Sequence, residues 1–461
     1  MWPFTSNRRY RGIPFDPVRA EHTHTNLQVE GQIPFELSGL YVRNGPNPAA
    51  AIGWRHHYFS GDGMVHGVRL SDGRAVWYRN RFVRAGGVPA ALGEDDPGGP
   101  VSSGLDVSPN TNIVRFGDRL FASNEGGPSL VELTFELDTV ARSTLDGVLP
   151  DGFTGHHKVD PEDGDIHGVV YSGALGTNAL YLRLAPDGRL LNRVELPLAG
   201  STQIHDMSIT RRFAVIYDLN VEFRMWMLPL TTLPIRWRSR RPSRIGVLPK
   251  DGGADQIHWF DVDPCYVYHP MNAFERDDGR IVLDVSRYER AAHKDFYGPL
   301  GDTTPTIHRW ILDPSQRAVE EEVLFDLALD FPKVSPTVEG RPYRFGYGVE
   351  ASLRPSFDAA VKMDLHNRTT QRQAFAGGMS SELTFIPRQA GSGAEDDGWL
   401  MGFVFQPDRQ RSRLVILDAQ RFTDSPVASI WIPEQHVPIG THGGWFPDRR
   451  DPSDATHAAS P

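Results

Sequence analysis

The chain has 461 residues and a formal net charge of −10, so it lacks the basic surplus typical of nucleic-acid-binding surfaces. Its single cysteine, Cys265, excludes an internal disulfide framework and a zinc site built on cysteines. It has no run of about 18 apolar residues, and its first residues lack the apolar core of a signal peptide. We therefore expect a cytoplasmic protein with no transmembrane helix and no nucleic-acid partner.

The N-terminal part of the chain reads as an arm followed by strands and turns. Residues 1–25 are predicted as an irregular arm, and residues 38–48 as a strand that enters a Gly/Pro loop. Residues 57–68 are predicted as a hairpin that turns at Gly61-Asp62-Gly63. Residues 86–104 are rich in Gly and Pro and acidic, which predicts a loop.

One unit then recurs along the chain: an alternating apolar run, a turn containing Asp, Gly or Pro, and a second run. It is found at 153–171, 180–196, 272–285, 310–325 and 383–405. Helical periodicity is scarce, with only a few short candidates, for instance near 289–293. So many short strands indicate an all-β propeller of several four-stranded blades, although no strict repeat gives the number of blades. The polar tail, 448–461, is expected to be disordered.

Residues 221–244 differ from the rest of the chain, because an apolar stretch at 221–237 is joined to a group of arginines. The arginines are Arg236, Arg238, Arg240, Arg241 and Arg244. The simpler interpretation is a long loop between strands that packs on the body of the protein. The functional interpretation is an apolar patch with a basic rim, which contacts an anionic membrane surface or forms the mouth of an apolar tunnel.

Four of the 17 histidines lie at predicted strand ends beside small or turn residues. They are His156, His205, His269 and His442. Their separations match no local metal-binding motif, but in a propeller each blade can direct one side chain to the central axis. His156 and His157 are adjacent, and successive side chains of a strand point to opposite faces, so only one of the two can face the axis. The chain has no nucleophile elbow, P-loop or dinucleotide-binding glycine motif.

Several segments resemble the carotenoid cleavage oxygenase family over about residues 27–446. The segments are GLYVRNGPNP at 39–48, GDGMVH at 61–66 and YRNRFVR at 78–84. The resemblance implies a seven-bladed propeller over residues 26–447, with loops and short helices forming a dome over one face. It also implies a non-haem Fe(II) on the propeller axis, with O2 as co-substrate.

The family's ligand pattern falls on His156, His205, His269 and His442, and its second carboxylate layer falls on Glu125, Asp330 and Glu382. The family often has proline in the place of His157, so the resemblance assigns the ligand role to His156. The family usually has glutamate at the position of Asp330, and the shorter aspartate is expected to need a bridging water. Thr111 matches a threonine close to the family's open coordination position.

The resemblance implies cleavage of a conjugated C=C bond in a carotenoid or apocarotenoid, with substrate taken from a membrane through 221–237. The second candidate reaction is cleavage of a stilbene or phenylpropenoid alkene. Many stilbene-cleaving relatives carry a lysine where this chain has Asn124 and a tyrosine near 86–104, and this chain has neither. A retinoid isomerase and a catalytically silent binding platform are the less favoured functions. The four histidines together with Glu125 and Glu382 argue against a silent platform.

Overall fold

The structure is a computed structural model that describes residues 14–102, 105–171, 176–293, 303–352, 357–388 and 391–448. Across these ranges the chain forms strands, turns and loops, with one α-helix, α1, at Val88–Leu92. In chain order the strands are β1 His22–His24, β2 Gln28–Gly31, β3 Gly39–Arg43, β4 Met64–Ser71, β5 Arg74–Phe82, β6 Asn112–Phe116, β7 Arg119–Ser123, β8 Leu130–Leu133, β9 Thr139–Ser143, β10 His157–Val159, β11 Ile166–Tyr171, β12 Asn178–Leu184, β13 Leu190–Pro197, β14 Met207–Ile209, β15 Phe213–Asp218, β16 Val221–Phe223, β17 Ile235–Trp237, β18 Ser243–Pro249, β19 His258–Val262, β20 Tyr266–Glu275, β21 Ile281–Tyr288, β22 Thr306–Asp313, β23 Ala318–Phe325, β24 Leu329–Lys333, β25 Phe345–Ala351, β26 Phe357–Asp364, β27 Thr369–Ala374, β28 Met379–Ser380, β29 Thr384–Pro387, β30 Gly398–Gln406, β31 Arg411–Asp418, β32 Ala428–Trp431 and β33 Gly443–Pro447.

Within the described ranges these strands form seven antiparallel sheets of at least four strands, which are the blades of a propeller. Blades 2, 3, 5 and 6 are the meanders β6–β9, β10–β13, β20–β23 and β24–β27. Blade 4 has the order β14-β15-β18-β19, and β16 and β17 form a separate two-stranded ribbon. The predicted all-β, seven-bladed propeller is confirmed.

Blades 1 and 7 contain strands from both ends of the described chain. Blade 1 has the order β33-β3-β4-β5-β1, with Gly443 opposite Arg43. In blade 7, β28 and β29 both pair with β30, and β31, β32 and the N-terminal β2 follow. Backbone hydrogen bonds between distant parts of the chain therefore close the ring and pair edges that would otherwise be open.

Burial is greatest within the blades and is lower at their outermost strands. Strands β20 and β30 are buried along most or all of their length, whereas the outer strand β23 is largely exposed. The apolar core is divided into clusters between neighbouring blades. One such cluster packs Val215 and Ile245 of blade 4 against Leu283 and Trp310 of blade 5. Each blade therefore has two buried faces and is held in place by its neighbours.

Most of the predicted hairpins are confirmed, because their Asp/Gly turns connect the strand pairs β10/β11, β12/β13, β20/β21, β22/β23 and β29/β30. The hairpin predicted at 57–68 is wrong. A 3₁₀ turn at Tyr58–Ser60 replaces its first strand, because the Tyr58 hydroxyl is buried and bonds the carbonyl of Ile439. The short helix predicted near 289–293 is also wrong, since that stretch forms bends.

The predicted loop at 86–104 contains α1, which is one short helix of five residues. Pro89 in its first turn and Gly93 in a left-handed conformation with φ 72° fix its two ends.

The termini are only partly described. Within the predicted arm, residues 14–25 are described, and His22–His24 are not irregular because they pair with β5 as strand β1. Residues 1–13, and all of the predicted tail except Asp448, lie outside the described residues. No helix in the described part of the chain is long and apolar enough to cross a membrane.

Candidate metal centre

Each of the four histidines predicted as ligands lies in, or just before, the innermost strand of a different blade. His156 directly precedes β10, His205 lies just before β14, His269 lies in β20 and His442 directly precedes β33. All four are buried, and one ring nitrogen from each lies within 4.8 Å of the others. The closed ring of blades thus brings together four residues that are distant in sequence.

Glycines next to the ligands allow the strand ends to approach this closely. A Cβ atom on Gly155 would lie 2.5 Å from Cγ2 of Thr111, and one on Gly443 would lie 2.1 Å from the carbonyl oxygen of Val42. A side chain on Gly155 would push blade 2 away, and one on Gly443 would push away strand β3 of its own blade. Both glycines directly flank a ligand histidine, so they determine how near the ligands come to the axis.

Three of the four rings contact a carboxylate through Nδ1; Asp330 and Glu382 are buried, and Glu125 is half-buried. These pairs are His205–Glu125 at 3.1 Å, His269–Asp330 at 2.8 Å and His442–Glu382 at 2.8 Å. With Nδ1 engaged, Nε2 faces the centre, and the Nε2 atoms of His205 and His269 lie 3.3 Å apart. Nε2 of His156 is buried without a hydrogen-bond partner. Converging imidazoles oriented from behind by carboxylates fit a divalent transition-metal ion.

The three carboxylates are held in their charged form. Burial by itself would raise the pKa of Glu382, but His442 and Lys333 outweigh burial and lower that pKa well below its usual range. The pKa of Glu125 and that of Asp330 are likewise lowered, because the histidine facing each carboxylate outweighs its burial. Three negative charges therefore surround the histidine cluster, which favours a bound dication.

Two of the rings, in contrast to the carboxylates, are held in their neutral form by burial. It lowers the pKa of His442 to about 4, even though Glu382 opposes the shift. Burial and the neighbouring rings also lower the pKa of His156 well below its ordinary value. At His205 burial is outweighed by Glu125, and the pKa is raised. Neutral rings such as His156 and His442 are ready to donate a nitrogen lone pair to a metal.

Asp330 contacts His269 directly, so no bridging water is required for the shorter side chain. Its other oxygen accepts a hydrogen bond of 2.6 Å from the Tyr288 hydroxyl. The strand that carries it is irregular: Asp330 pairs with Val349, and Lys333 is the next residue of the strand to pair. Phe331 inside this bulge has a φ of 50°. The bulge shifts the backbone at Asp330 out of regular register. In this position the short aspartate side chain reaches the His269 ring.

The predicted Thr111 also lies at this centre, just before β6, the innermost strand of blade 2. Its carbonyl accepts a 2.9 Å hydrogen bond from the amide of His442, and its hydroxyl accepts one of 3.1 Å from the amide of Glu125. With Asp330 in β24 of blade 6 and Glu382 between β28 and β29 of blade 7, every blade contributes one of the predicted residues to the centre.

Residues not predicted from the sequence hold the carboxylates in place. Glu125 accepts hydrogen bonds from the Tyr171 hydroxyl and, at 2.7 Å, from the Gln203 amide. Lys333 lies 2.9 Å from Glu382, and Tyr288 bonds Asp330. Tyr171 and Tyr288 belong to ordinary apolar strands, so nothing in their local sequence distinguishes them from core tyrosines.

A cavity of about 750 Å³ extends from the histidine cluster to the protein surface. Its wall is rich in aromatic side chains, which are Tyr58, Phe59, Tyr171, Phe223, Tyr268, Phe331 and Phe357. Phe331 stacks on His269 with ring centroids 4.6 Å apart, so the aromatic wall reaches the ligands. The 3₁₀ turns at Tyr58–Ser60 and Met225–Met227 and the start of α1 cover the cavity, as expected for the dome.

Residues 221–237 pack on the body of the protein along one side and present an exposed apolar turn on the other. Met227, Ile235 and Trp237 are buried, so one side of the segment packs on the body of the protein. Met225 and Trp226 are 60% and 64% exposed, and Leu228 is 43% exposed. Because Met225 and Leu228 also line the cavity, this exposed apolar turn lies at the cavity mouth.

Fewer arginines are free to form a basic rim than the five in the sequence, because two of them are held in ion pairs. Arg241 is buried in ion pairs with Asp218 and Glu222, and Arg244 lies 2.9 Å from Asp218. These two arginines therefore anchor the segment to blade 4 instead of facing solvent. Arg238 is 51% exposed at its side chain and lies 3.6 Å from Glu222.

Residues 15–447 match the protein family described as Retinal pigment epithelial membrane protein. A carotenoid cleavage oxygenase of Mycobacterium tuberculosis is 38% identical over 489 aligned residues, which cover 94% of this chain and 96% of that protein. The apocarotenoid-15,15'-oxygenase of Synechocystis is 32% identical, with 90% of this chain and 92% of that protein covered.

Solved structures share the fold. Cobalt-substituted apocarotenoid oxygenase of Synechocystis superimposes with a TM-score of 0.83 at 30% identity, covering 96% of this chain and 98% of that one. A lignostilbene dioxygenase of Pseudomonas brassicacearum has a TM-score of 0.84 at 24% identity, with 97% and 100% covered, and this likeness concerns the fold. Since the family match and the 38% identical relative both span nearly the whole chain, the protein belongs to the carotenoid cleavage oxygenase family and is an enzyme of the dioxygenase class.

Proposed function

We propose that this protein uses Fe(II) and O2 to cleave a conjugated C=C bond of a carotenoid or apocarotenoid, and that it releases aldehyde or ketone products. The observation that carries the proposal is the aromatic cavity of about 750 Å³ that ends at four buried histidines. The printed names of relatives, carotenoid cleavage oxygenase and apocarotenoid-15,15'-oxygenase, support the same class of substrate.

In this proposal the four histidines hold the iron through Nε2. When bound, Fe(II) supplies the chemistry that activates O2. The three carboxylates accept the Nδ1 protons and hold the rings in one orientation, which also offsets part of the metal's charge. Thr111, whose carbonyl accepts a hydrogen bond from the amide of His442, would lie beside an Fe(II) ion held by the four histidines.

The cavity wall determines how a polyene lies. A conjugated chain carries no hydrogen-bonding groups along its length, so shape and dispersion must position it. Phe331 and Phe357 lie edge to face with centroids 5.5 Å apart, next to His269. We infer that this aromatic corner holds the scissile bond against the metal and excludes water from it.

The environment of Asn124 disfavours a stilbene or phenylpropenoid substrate. Its side-chain carbonyl accepts hydrogen bonds from the amide of Asn110 at 3.3 Å and from the Thr111 hydroxyl at 3.2 Å. This short neutral side chain is engaged within the wall of the site. It therefore provides no cation for a substrate phenol, which is the role of the lysine in many stilbene-cleaving relatives.

Reconstituted protein tests the reaction and the substrate class. We expect protein stripped with a chelator to be inactive and Fe(II) to restore activity, because no other group at the centre activates O2. Under O2, the restored protein should split β-carotene or an apocarotenal into two carbonyl fragments, identified by chromatography and mass spectrometry. Resveratrol, a stilbene, is the comparison substrate that tests the second candidate reaction. Cleavage of resveratrol alone, or a protein that neither binds iron nor responds to it, contradicts the proposal.

We also propose that the exposed turn at the cavity mouth contacts the membrane that dissolves the substrate. Aspartate at Met225, Trp226 and Leu228 together should abolish sedimentation with liposomes, because burial of these side chains in lipid supplies the binding free energy. Cleavage of a detergent-solubilised apocarotenal should persist. Val323→Asp is the matched control, since Val323 is 50% exposed on the outer strand of blade 5. Unchanged liposome binding by the triple variant would refute this role.

A further inference from the structure

One of the four rings at the metal centre lacks a direct carboxylate partner. Nδ1 of His156 lies 3.9 Å from Oδ2 of Asp206, which is too long for a hydrogen bond. Both side chains are almost fully buried, with 3% and 5% of their surface exposed. The other three rings each contact a carboxylate at 3.1 Å or less. A polar gap of this length in a buried site is the kind that a water molecule bridges.

Two contacts fix the position of the Asp206 carboxylate. Oδ1 accepts a hydrogen bond of 2.6 Å from the amide of Met207, and Oδ2 accepts one of 2.9 Å from Nζ of Lys158. The carboxylate is therefore not free to rotate away from His156. Lys158 lies on β10, two residues beyond His156, so one short segment of the chain carries both the ring and the cation that holds its facing carboxylate.

A small cavity of about 20 Å³ is lined by His156, Lys158 and Asp206, the three residues around this gap, and also by Asn112, Lys333 and Glu382. It shares His156, His269 and His442 with the large cavity but contains none of the aromatic wall. It is thus on the side of the rings away from the proposed substrate. A cavity volume above about 10–15 Å³ with two to four polar partners is sufficient for one water molecule. The cavity meets both conditions.

We propose that one water molecule in this cavity accepts the Nδ1 proton of His156 in a hydrogen bond and donates to Oδ2 of Asp206. Asp206 is then the fourth carboxylate that orients a ligand ring, and it acts as a positioning residue through the water. The inference rests on the four-histidine metal site of the proposed function, but not on the identity of the substrate. Because Lys158 shares Oδ2, the charge of Asp206 is partly offset, and His156 is the ligand with the weakest anionic support.

Cobalt(II) affinity tests the proposal without any measurement of catalysis. Asp206→Asn keeps an oxygen for the Met207 amide but loses the negative charge, so we expect Co(II) to bind about tenfold or more weakly, as measured by competition with a chelator dye. In Asp206→Glu the additional methylene spans the gap and allows direct contact with Nδ1. Its Co(II) affinity should therefore remain within about threefold of the native protein, whereas most substitutions of an orienting group lower affinity by 10–100-fold.

Lys158→Met separates the proposed role from loss of the ion pair. It removes the partner of Asp206 but leaves the carboxylate and the cavity, so Co(II) affinity should be retained. Thermal unfolding of the metal-free variants checks that each is folded. Native-like affinity in Asp206→Asn, or an equal loss in Lys158→Met, overturns the proposal. Failure of the native protein to bind Co(II) would instead remove the metal site itself, whereas failure to cleave carotenoids leaves this test unaffected.

The proton spectrum of the Co(II) protein gives a second readout that a purely structural role would not change. Each coordinated imidazole contributes one strongly shifted, exchangeable N–H resonance. We expect the resonance of His156 to exchange with solvent faster than the other three, because its partner is a water molecule. In Asp206→Glu this exchange should slow to the rate of the others. Four resonances that exchange equally in the native protein would contradict the bridging water.

Discussion

Replacement of His156 by alanine should remove bound metal and activity, whereas replacement of His157 should preserve most of both. His156 contributes an unpartnered, buried Nε2 to the cluster, and its ring centroid lies 4.1 Å from that of His205 and 4.6 Å from that of His442. Loss of a direct ligand should weaken metal binding by more than about 100-fold, the upper end of what loss of a ligand's supporting partner costs. Metal content after gel filtration and turnover of an apocarotenal measure the effect.

His157 is the matched control, because it is adjacent and chemically identical. It lies in β10 opposite Gly168 of β11, is half-buried, and is not among the four grouped histidines. His157→Ala should cost about 1 kcal/mol of unfolding free energy, a typical value for a partly buried side chain. Equal loss of metal in the two variants would show that the strand presents the other face to the axis.

Glu382→Gln should weaken metal binding by about 10–100-fold without unfolding the protein. Glu382 is 4% exposed and bonds Nδ1 of His442 at 2.8 Å and Nζ of Lys333 at 2.9 Å. Glutamine has nearly the same shape, but it removes the charge that neutralises Lys333. An uncompensated cation then faces the dication, and the ring loses its strongest acceptor. Isothermal titration of the metal-free protein with Co(II) measures the loss.

Two further variants identify the cause of this loss. In Glu382→Gln with Lys333→Met the extra cation is gone, and part of the affinity should return. Glu350→Gln removes a carboxylate of the same type that pairs with Arg372 at 2.6 Å and contacts none of the four histidines, so this variant should bind metal normally. Native affinity in Glu382→Gln itself would mean that this carboxylate does not support the ligand.

Local signals in the sequence were reliable where local physics determines the structure. The Asp/Gly turns at 163–164, 186–188 and 277–279 predicted hairpins that the structure contains, since turn geometry depends on a few neighbouring residues. Local reasoning failed at Tyr58, which was predicted to lie in the first strand of a hairpin at 57–68. Bonds from the Tyr58 hydroxyl to the distant Ile439, and packing of its ring against Phe15, favour a 3₁₀ turn there.

Some residues of the candidate site could likewise be predicted from the sequence, and others could not. Four strand-end histidines were visible in the sequence, and the family resemblance selected them together with Thr111, Glu125, Asp330 and Glu382. The roles of Tyr171 and Tyr288 were not visible, because a tyrosine that bonds a carboxylate and one that fills a core have the same sequence context. The gap between His156 and Asp206 was also hidden, since a distance of 3.9 Å between two blades has no sequence signature.

By itself the sequence determined the strand-rich character of the chain, most of its hairpins and the family it resembles, because turn residues and alternation act over a few positions. Tertiary structure alone decided how the ring of blades closes through β33 and β2. It decided which arginines of 236–244 form ion pairs with Asp218 and Glu222 and so do not face solvent. It also decided that Asp330 reaches His269 directly. Each of these depends on contacts between blades, which arise only when distant parts of the chain are packed around one axis.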